Sequence, residues 1–286
     1  MPNNLQAFTH LAALSLADFY RRQHGPDSLH ISIFGNCHYM GIFQALQLFN
    51  PTLVFDVRAH ILQPPPENMK QKWLSSDFIF INDSFDLTSY GVALEQIKGR
   101  IINFPSVFFA AFHPDILRIL PDLPSFYPTI HSRIVVECFL RNYPEAQTLQ
   151  YFCSSTYASL GYFSALLPEK TQLSNRLEKY GFQADKFLPL WFRDGCFMHL
   201  AFHPKIRVIK DLVRDLMVRH GISIINPNID SLLVDNLDDS VWPVYPDIAE
   251  HLCIPECGSY LFKSKNRVID LGEFIAISYA AYKTHN

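Results

Sequence analysis

Residues 31–46, ISIFGNCHYMGIFQAL, hold the densest chemistry in the chain: an apolar run, Ile31–Phe34, meets Gly35, Asn36, Cys37 and His38 before a helical pattern carries Ile42, Phe43, Leu46 and Leu48. A strand, a glycine turn and a helix in that order put Cys37 at a helix N-terminus. The free N–H groups and the positive dipole end there favour a thiolate. The same N–H groups can hold a developing oxyanion. Asn36 could donate an amide hydrogen bond to that oxyanion or serve only the turn. Cys37 is therefore a candidate nucleophile, weighed against the commoner role of a cysteine as a small buried hydrophobe. His38 is adjacent in sequence and is expected to point away from the sulfur.

A second candidate lies in FFAAFHPD, residues 108–115, directly after a strand-like run. His113 there would stand at the C-terminal edge of a sheet, where open α/β folds bind ligands. A histidine in that position can take a proton from a hydroxyl or from Cys37, or it can simply cap or fill. The segment has an echo: Ala111-Phe112-His113-Pro114-Asp115-Ile116 resembles Ala201-Phe202-His203-Pro204-Lys205-Ile206. Both copies precede helical patterns, and Pro suits the first turn of a helix. His203 carries the same two readings as His113. Asp115 could orient a histidine or complement a helix dipole. Asn82-Asp83-Ser84 ends another strand-like run and could line the same edge, although it is also ordinary turn chemistry. Cys253 and Cys257 lie near His251, but no second ligand pair completes a zinc site, so no metal is expected. The absence of a P-loop and of G-x-G-x-x-G argues against nucleotide hydrolysis and dinucleotide binding.

The elements that must position these residues are strands at 29–34, 52–58, 77–82 and 100–104, alternating with helices at 38–49, 67–75 and 89–98. That alternation predicts βαβ units and a parallel sheet. Beyond residue 113 the pattern becomes helical, at 113–120, 135–152, 170–180 and 205–219. A late strand at 222–227 and helices at 245–252 and 269–282 follow. The expected fold is α/β: a doubly wound parallel-sheet core with a helix-rich C-terminal half packed against it. No linker-like shift in composition interrupts the chain. It reads as one domain over 1–286, with an N-terminal helix (1–28), a sheet-rich core (29–112) and a helix-rich half (113–286).

Composition sets limits. The chain has 286 residues, 49% of them hydrophobic and 18% charged, which marks a packed globular protein. Its 24 Phe and 13 Tyr imply a core or cleft rich in rings. A net charge of −3 gives no electrostatic case for nucleic acid. No apolar run reaches the ~20 residues of a membrane span. The N-terminal stretch, interrupted by Asp18, reads as an amphipathic helix and not as a signal peptide. Six scattered cysteines suit reduced thiols in a cytoplasm. Nothing in the sequence sets an oligomeric state.

Three segments in order resemble the WcbI family of polysaccharide-biosynthesis proteins. They are Gly35-Asn36-Cys37, then Ile102-Asn103-Phe104-Pro105 running into Phe112-His113-Pro114-Asp115, then Phe202-His203-Pro204 with Gly258-Ser259-Tyr260-Leu261-Phe262-Lys263 near the C-terminus. The likeness spans most of the chain, and it departs from the family pattern at His38, where the family usually has Gln. It implies a cytoplasmic acetyltransferase that takes acetyl from acetyl-CoA, a small-molecule donor, to a sugar hydroxyl of a capsular or surface polysaccharide precursor. Cys37, His113 and Asn36 would be catalytic. Gly35, His203, Ser259, Lys263 and Arg193 would contact coenzyme A, whose phosphates need cations. Either Cys37 carries the acetyl group, the reading favoured by a helix-terminal thiolate, or His113 activates the hydroxyl for direct attack. An SGNH-type esterase with Cys in place of Ser would need a late Asp-x-x-His, and the sequence holds that spacing only at Asp27 and His30. A non-catalytic glycan- or CoA-binding protein would need neither Cys37 nor His113.

Overall fold

A computed structural model describes residues 28–60, 74–83, 97, 100–119 and 122–284. The helices expected at 1–28, 67–75 and 89–98 fall outside these residues or almost wholly so. In chain order the elements are β1 (His30–Gly35), α1 (Tyr39–Phe49), β2 (Val54–His60), β3 (Phe78–Asn82), β4 (Arg100–Phe104), β5 (Ile116–Arg118) and β6 (Ile130–Ser132). Next come α2 (Arg133–Leu140), α3 (Glu145–Leu149), α4 (Ser154–Ser159), α5 (Leu166–Lys179), α6 (Ala184–Arg193), β7 (Met198–Leu200), β8 (His203–Pro204) and α7 (Ile206–Arg219). The chain closes with β9 (Ser240–Val241), α8 (Pro246–His251), β10 (Phe262–Ser264), β11 (Arg267–Ile269) and α9 (Leu271–Lys283). The chain forms two compact units. One comprises the residues up to 104 with Val213–Leu233, the other Pro105–Leu212 with residues 234–286.

The first unit holds a four-stranded sheet in the order β2-β1-β3-β4, with every neighbouring pair parallel. Ile31 to Gly35 and all of β3 are buried or nearly so. Parallel strands covered on both faces read as continuous apolar runs, which is how Ile31-Ser32-Ile33-Phe34 and Phe78-Ile79-Phe80-Ile81 appear in the sequence. Helix α1 supplies the crossover from β1 to β2. It buries Ile42, Ala45, Leu46 and Phe49, a face at i, i+3, i+4 and i+7. Its end is closed by the segment expected as a strand at 222–227, which is not one. The Ile225 and Asn226 N–H groups donate to the Phe49 carbonyl at 2.8 and 3.0 Å. The Asn226 side chain donates to the Leu48 carbonyl, and Asn50 Nδ2 donates to the Ser223 carbonyl. A helix C-terminus leaves carbonyls without intrahelical partners, and the apolar-polar run ISIINP answers that need instead of joining a ladder.

The second unit combines helices with short antiparallel ladders: β5 with β6, β7 with β8, and β11-β10-β9. The helix expected at 113–120 is corrected here. After the His113-Pro114 turn, Ile116–Arg118 pairs with Ile130–Ser132, and the Ile119 N–H donates to Thr129. The short stretch Ile116–Leu120, interrupted by Arg118, carries no period long enough to separate helix from strand. The single helix expected at 135–152 is two, α2 and α3. Between them Asn142 adopts φ 58, a left-handed conformation Asn tolerates, and Pro144 cannot continue the helix. Helix α6 was not foreseen; Pro189 inside it hides a pattern that buries Phe187, Leu188 and Trp191.

Asp115 ties several of these elements together. Its carboxylate accepts from the Ile134 N–H at the start of α2 at 3.1 Å, from Tyr162 Oη at 2.8 Å and from Tyr245 Oη at 2.7 Å. It serves the helix terminus and two tyrosines. Tyr157 stacks on both Tyr162 and Tyr245, so the expected wealth of rings is partly spent on this core.

Candidate functional site

In the first unit the strand order reverses direction between β1 and β3, and the crevice outside their C-terminal ends is where open α/β sheets bind ligands. Gly35, Asn36 and Cys37 stand at the end of β1, and Asn82 and Asp83 at the end of β3. A Cβ on Gly35 would lie 3.0 Å from Tyr39 Cβ and 3.1 Å from Phe104 Cζ, so the turn closes only around glycine. Asn36 builds the turn twice over. Its side-chain oxygen accepts the His38 N–H at 3.0 Å, and its carbonyl accepts the Tyr39 N–H at 3.0 Å. Asn82 is fully buried beside Gly35 and donates to the Phe104 carbonyl at 3.5 Å, while the Asp83 N–H donates to the same carbonyl at 3.1 Å.

Helix α1 begins at Tyr39, so Cys37 precedes its first turn. The thiolate expected there is corrected: burial pushes the Cys37 thiol up to about 11, and the backbone N–H groups of Cys37 and His38 offset only part of that. Desolvation of a charged sulfur outweighs the partial charge of a helix end. At neutral pH the sulfur is a thiol.

His113 belongs to the second unit, where it is 2% exposed, and neither ring nitrogen finds a hydrogen-bond partner among the described residues. Burial pulls its basicity down to about 3; His199 and Lys205 repel the imidazolium further, and the Trp242 backbone offsets this only in part. The imidazole is neutral. Asp115, two residues on, does not orient it. The stretch just before the first echo segment meets the second: the Phe109 N–H donates to the Ala201 carbonyl at 2.8 Å. His203 lies in β8 with its ring 4.9 Å from that of Phe202, and only this second copy precedes a helix, α7.

Sequence reading passed over His199, buried in β7 between Met198 and Leu200, and Asp235. His199 Nε2 lies 2.8 Å from Asp235 Oδ2. The same oxygen accepts the Ile206 N–H at 2.9 Å, and Oδ1 accepts that of Leu237 at 3.3 Å. Burial opposes the charge on Asp235, but His199 and these N–H groups outweigh it and hold the carboxyl below its usual range. A histidine inside an apolar strand was the one available signal; 36 residues separate it from its partner, a distance that spacing rules do not bridge.

The residues expected to hold coenzyme A are engaged locally. Lys263 Nζ donates to Asp238 at 2.9 Å, Arg193 Nε to Asp194 at 3.2 Å, and Ser259 Oγ accepts the Leu261 N–H at 3.0 Å. Exposed ion pairs of this kind are worth little and exchange partners readily. All six cysteines are free thiols; Cys257 Sγ accepts the Cys196 N–H at 3.4 Å, and His251 contacts the Phe163 carbonyl. Among the described residues no three His, Cys, Asp or Glu gather as a metal site would require, and no helix is long and apolar enough to cross a membrane.

The sequence profile of the family described as polysaccharide biosynthesis enzyme WcbI matches residues 30–224, more than half of the chain. One solved structure of similar fold is that of WcbI, described as a novel polysaccharide biosynthesis enzyme and as native protein without a disulfide bond between coenzyme A and one of its cysteines. The TM-score is 0.66 at 12% identity, covering 90% of this chain and 91% of that one. At that identity the likeness speaks for the fold alone. No curated protein matches the chain.

Proposed function

The chain belongs to the WcbI family of polysaccharide biosynthesis enzymes, and from that premise we propose that it is a coenzyme A-dependent O-acetyltransferase. It moves acetyl from acetyl-CoA to a sugar hydroxyl of a capsular or surface polysaccharide precursor. We assign the reaction to the cytoplasm, where six free thiols stay reduced. The observation that carries the reading is the Gly35-Asn36-Cys37 turn at the sheet's switch point, inside the matched segment. The similar structure is described as being without a disulfide bond between coenzyme A and one of its cysteines, and we take Cys37 as the candidate to lie near coenzyme A in this chain.

Transfer from a thioester to an alcohol passes through a tetrahedral oxyanion and needs a base for the alcohol. A sulfur held as a thiol up to about pH 11 is a poor nucleophile at pH 7. This favours direct attack of the hydroxyl on acetyl-CoA, with Gly35, Asn36 and Cys37 shaping the donor's seat. His113 is the sequence candidate for the base. Arg193, Lys263, Ser259 and His203 are the proposed contacts for the phosphates and pantetheine of the donor.

Calorimetry with coenzyme A, followed by incubation with acetyl-CoA and a panel of methyl glycosides, tests the reading. Binding and glycoside-dependent release of free thiol are expected; no heat at millimolar coenzyme A would overturn it. Direct transfer also leaves Cys37 unacetylated when the acceptor is withheld. An acetyl mass adduct on the Cys37 peptide would replace it with the covalent route.

A further inference from the structure

The second unit holds two imidazoles with opposite surroundings. His199 is anchored: its Nε2 meets Asp235 Oδ2 at 2.8 Å, and the Trp242 N–H donates to its carbonyl at 2.9 Å. Asp235 is itself fixed by the Ile206 and Leu237 N–H groups. An ionised carboxylate only accepts, so the Nε2 of a neutral His199 carries the proton and Nδ1 is left as the acceptor. A base oriented by a third group in this way is the recurring arrangement of acyl-transfer sites. His199 keeps 10% of its side chain exposed. His113 is buried with no side chain to anchor it, and burial above all, then His199 and Lys205, opposes any charge on it.

We propose that His199, anchored by Asp235, is the general base for the acceptor hydroxyl. This rests on the acetyltransferase reading above and moves the base away from the sequence candidate His113. In the step, the hydroxyl oxygen forms a bond to the acetyl carbonyl carbon while its proton passes to His199 Nδ1. The carbon–sulfur bond of acetyl-CoA then breaks. The imidazolium delivers its proton to the departing thiolate, giving the acetyl ester and free coenzyme A. Asp235 is a positioning residue: it fixes the tautomer and stabilises the transient imidazolium. A purely structural account is available too, since Asp235 also receives the first N–H of α7, and the test must separate the two.

Free-thiol release is measured with acetyl-CoA as donor and either water or a methyl glycoside as acceptor. His199→Ala is expected to lower kcat by about 10²- to 10⁴-fold, with KM for acetyl-CoA changed less than about threefold, and tens of millimolar imidazole should restore part of the rate. A merely structural histidine gives no such rescue. Asp235→Asn retains an oxygen for the Ile206 N–H and for His199 Nε2, so the fold and the tautomer persist while the negative charge that stabilises the imidazolium is lost; kcat should again fall with KM kept. If His199→Ala does not fold, His199→Gln carries the same expectation of a lost rate. An active wild type whose His199 variants keep their rate overturns the base assignment alone. A wild type that releases no thiol with any acceptor overturns the acetyltransferase reading itself.

Discussion

Cys37 shows how a residue's surroundings can reverse the inference drawn from its position. Its place after a strand and a glycine turn calls for a thiolate, but burial pushes the thiol up to about 11. At pH 7.5 the ionised fraction is then about 3 × 10⁻⁴. Cys153 is the counter-example. The hydroxyls of Ser155 and Thr156 lie 3.2 and 3.5 Å from its sulfur and hold its acidity above that of an ordinary thiol. Iodoacetamide at pH 7.5 should therefore label Cys153 well before Cys37, with Cys37 labelling accelerating as the pH is raised toward 10. Peptide mass spectrometry over a time course reads both. Faster labelling of Cys37 at pH 7.5 would mean that the turn activates the sulfur after all, and the covalent route would regain its support.

Among elements, Asp115 joins β5, α2 and the segments carrying Tyr162 and Tyr245. Its carboxyl is fully buried, and burial raises it to about 6 although Ser132, Tyr245, Tyr162 and the Ile134 N–H all favour the charge. A carboxyl raised in the folded state contributes stability that is complete below its unfolded value near 3.8 and is lost as pH climbs through 6. The shift of about two units corresponds to roughly 3 kcal/mol. Asp115→Asn removes that titration, and its amide still suits the Ile134 N–H and, with the Tyr245 hydroxyl turned, the second tyrosine. Between pH 4 and 7.5, urea melts should move the variant's stability relative to wild type upward by up to about 3 kcal/mol; a pH-independent difference would refute the account. Asp115→Ala, which leaves buried donors unpaired, should cost about 3 kcal/mol or more at any pH. Legibility in the sequence differs between elements. In the first unit β1 and β3 could be read because continuous apolar runs bounded by turns have one good explanation, and β2 and β4 followed from their alternation with helical patterns. Ile116–Arg118 could not be read, because three residues of strand depend on a partner, Ile130–Ser132, that no local pattern announces. His199 and Asp235 were hidden for the same reason.

Across the whole molecule, the chain passes between its two units three times, at 104, 212 and 233, so neither unit is a single stretch of sequence. The return segment 213–233 belongs to the first unit through bonds to the end of α1. Asn50 is the hub of that contact. It is 4% exposed, its Nδ2 donates to the Ser223 carbonyl at 3.0 Å, and its Oδ1 accepts from both the N–H and the hydroxyl of Thr52. Arg214 adds its guanidinium over the Phe49 ring at 5.7 Å. If these bonds make the return segment part of one cooperative unit, the Ile225 and Asn226 amides must exchange with solvent as slowly as those of α1, despite lying in a stretch with no regular secondary structure. Asn50→Ala removes three hydrogen bonds, a loss of about 2–3 kcal/mol. Hydrogen exchange should then speed up together in α1 and at 223–226. Wild-type amides at 225 and 226 that exchange like an exposed loop would show that the segment only rests on the sheet unit, and the first unit would then end at Phe104.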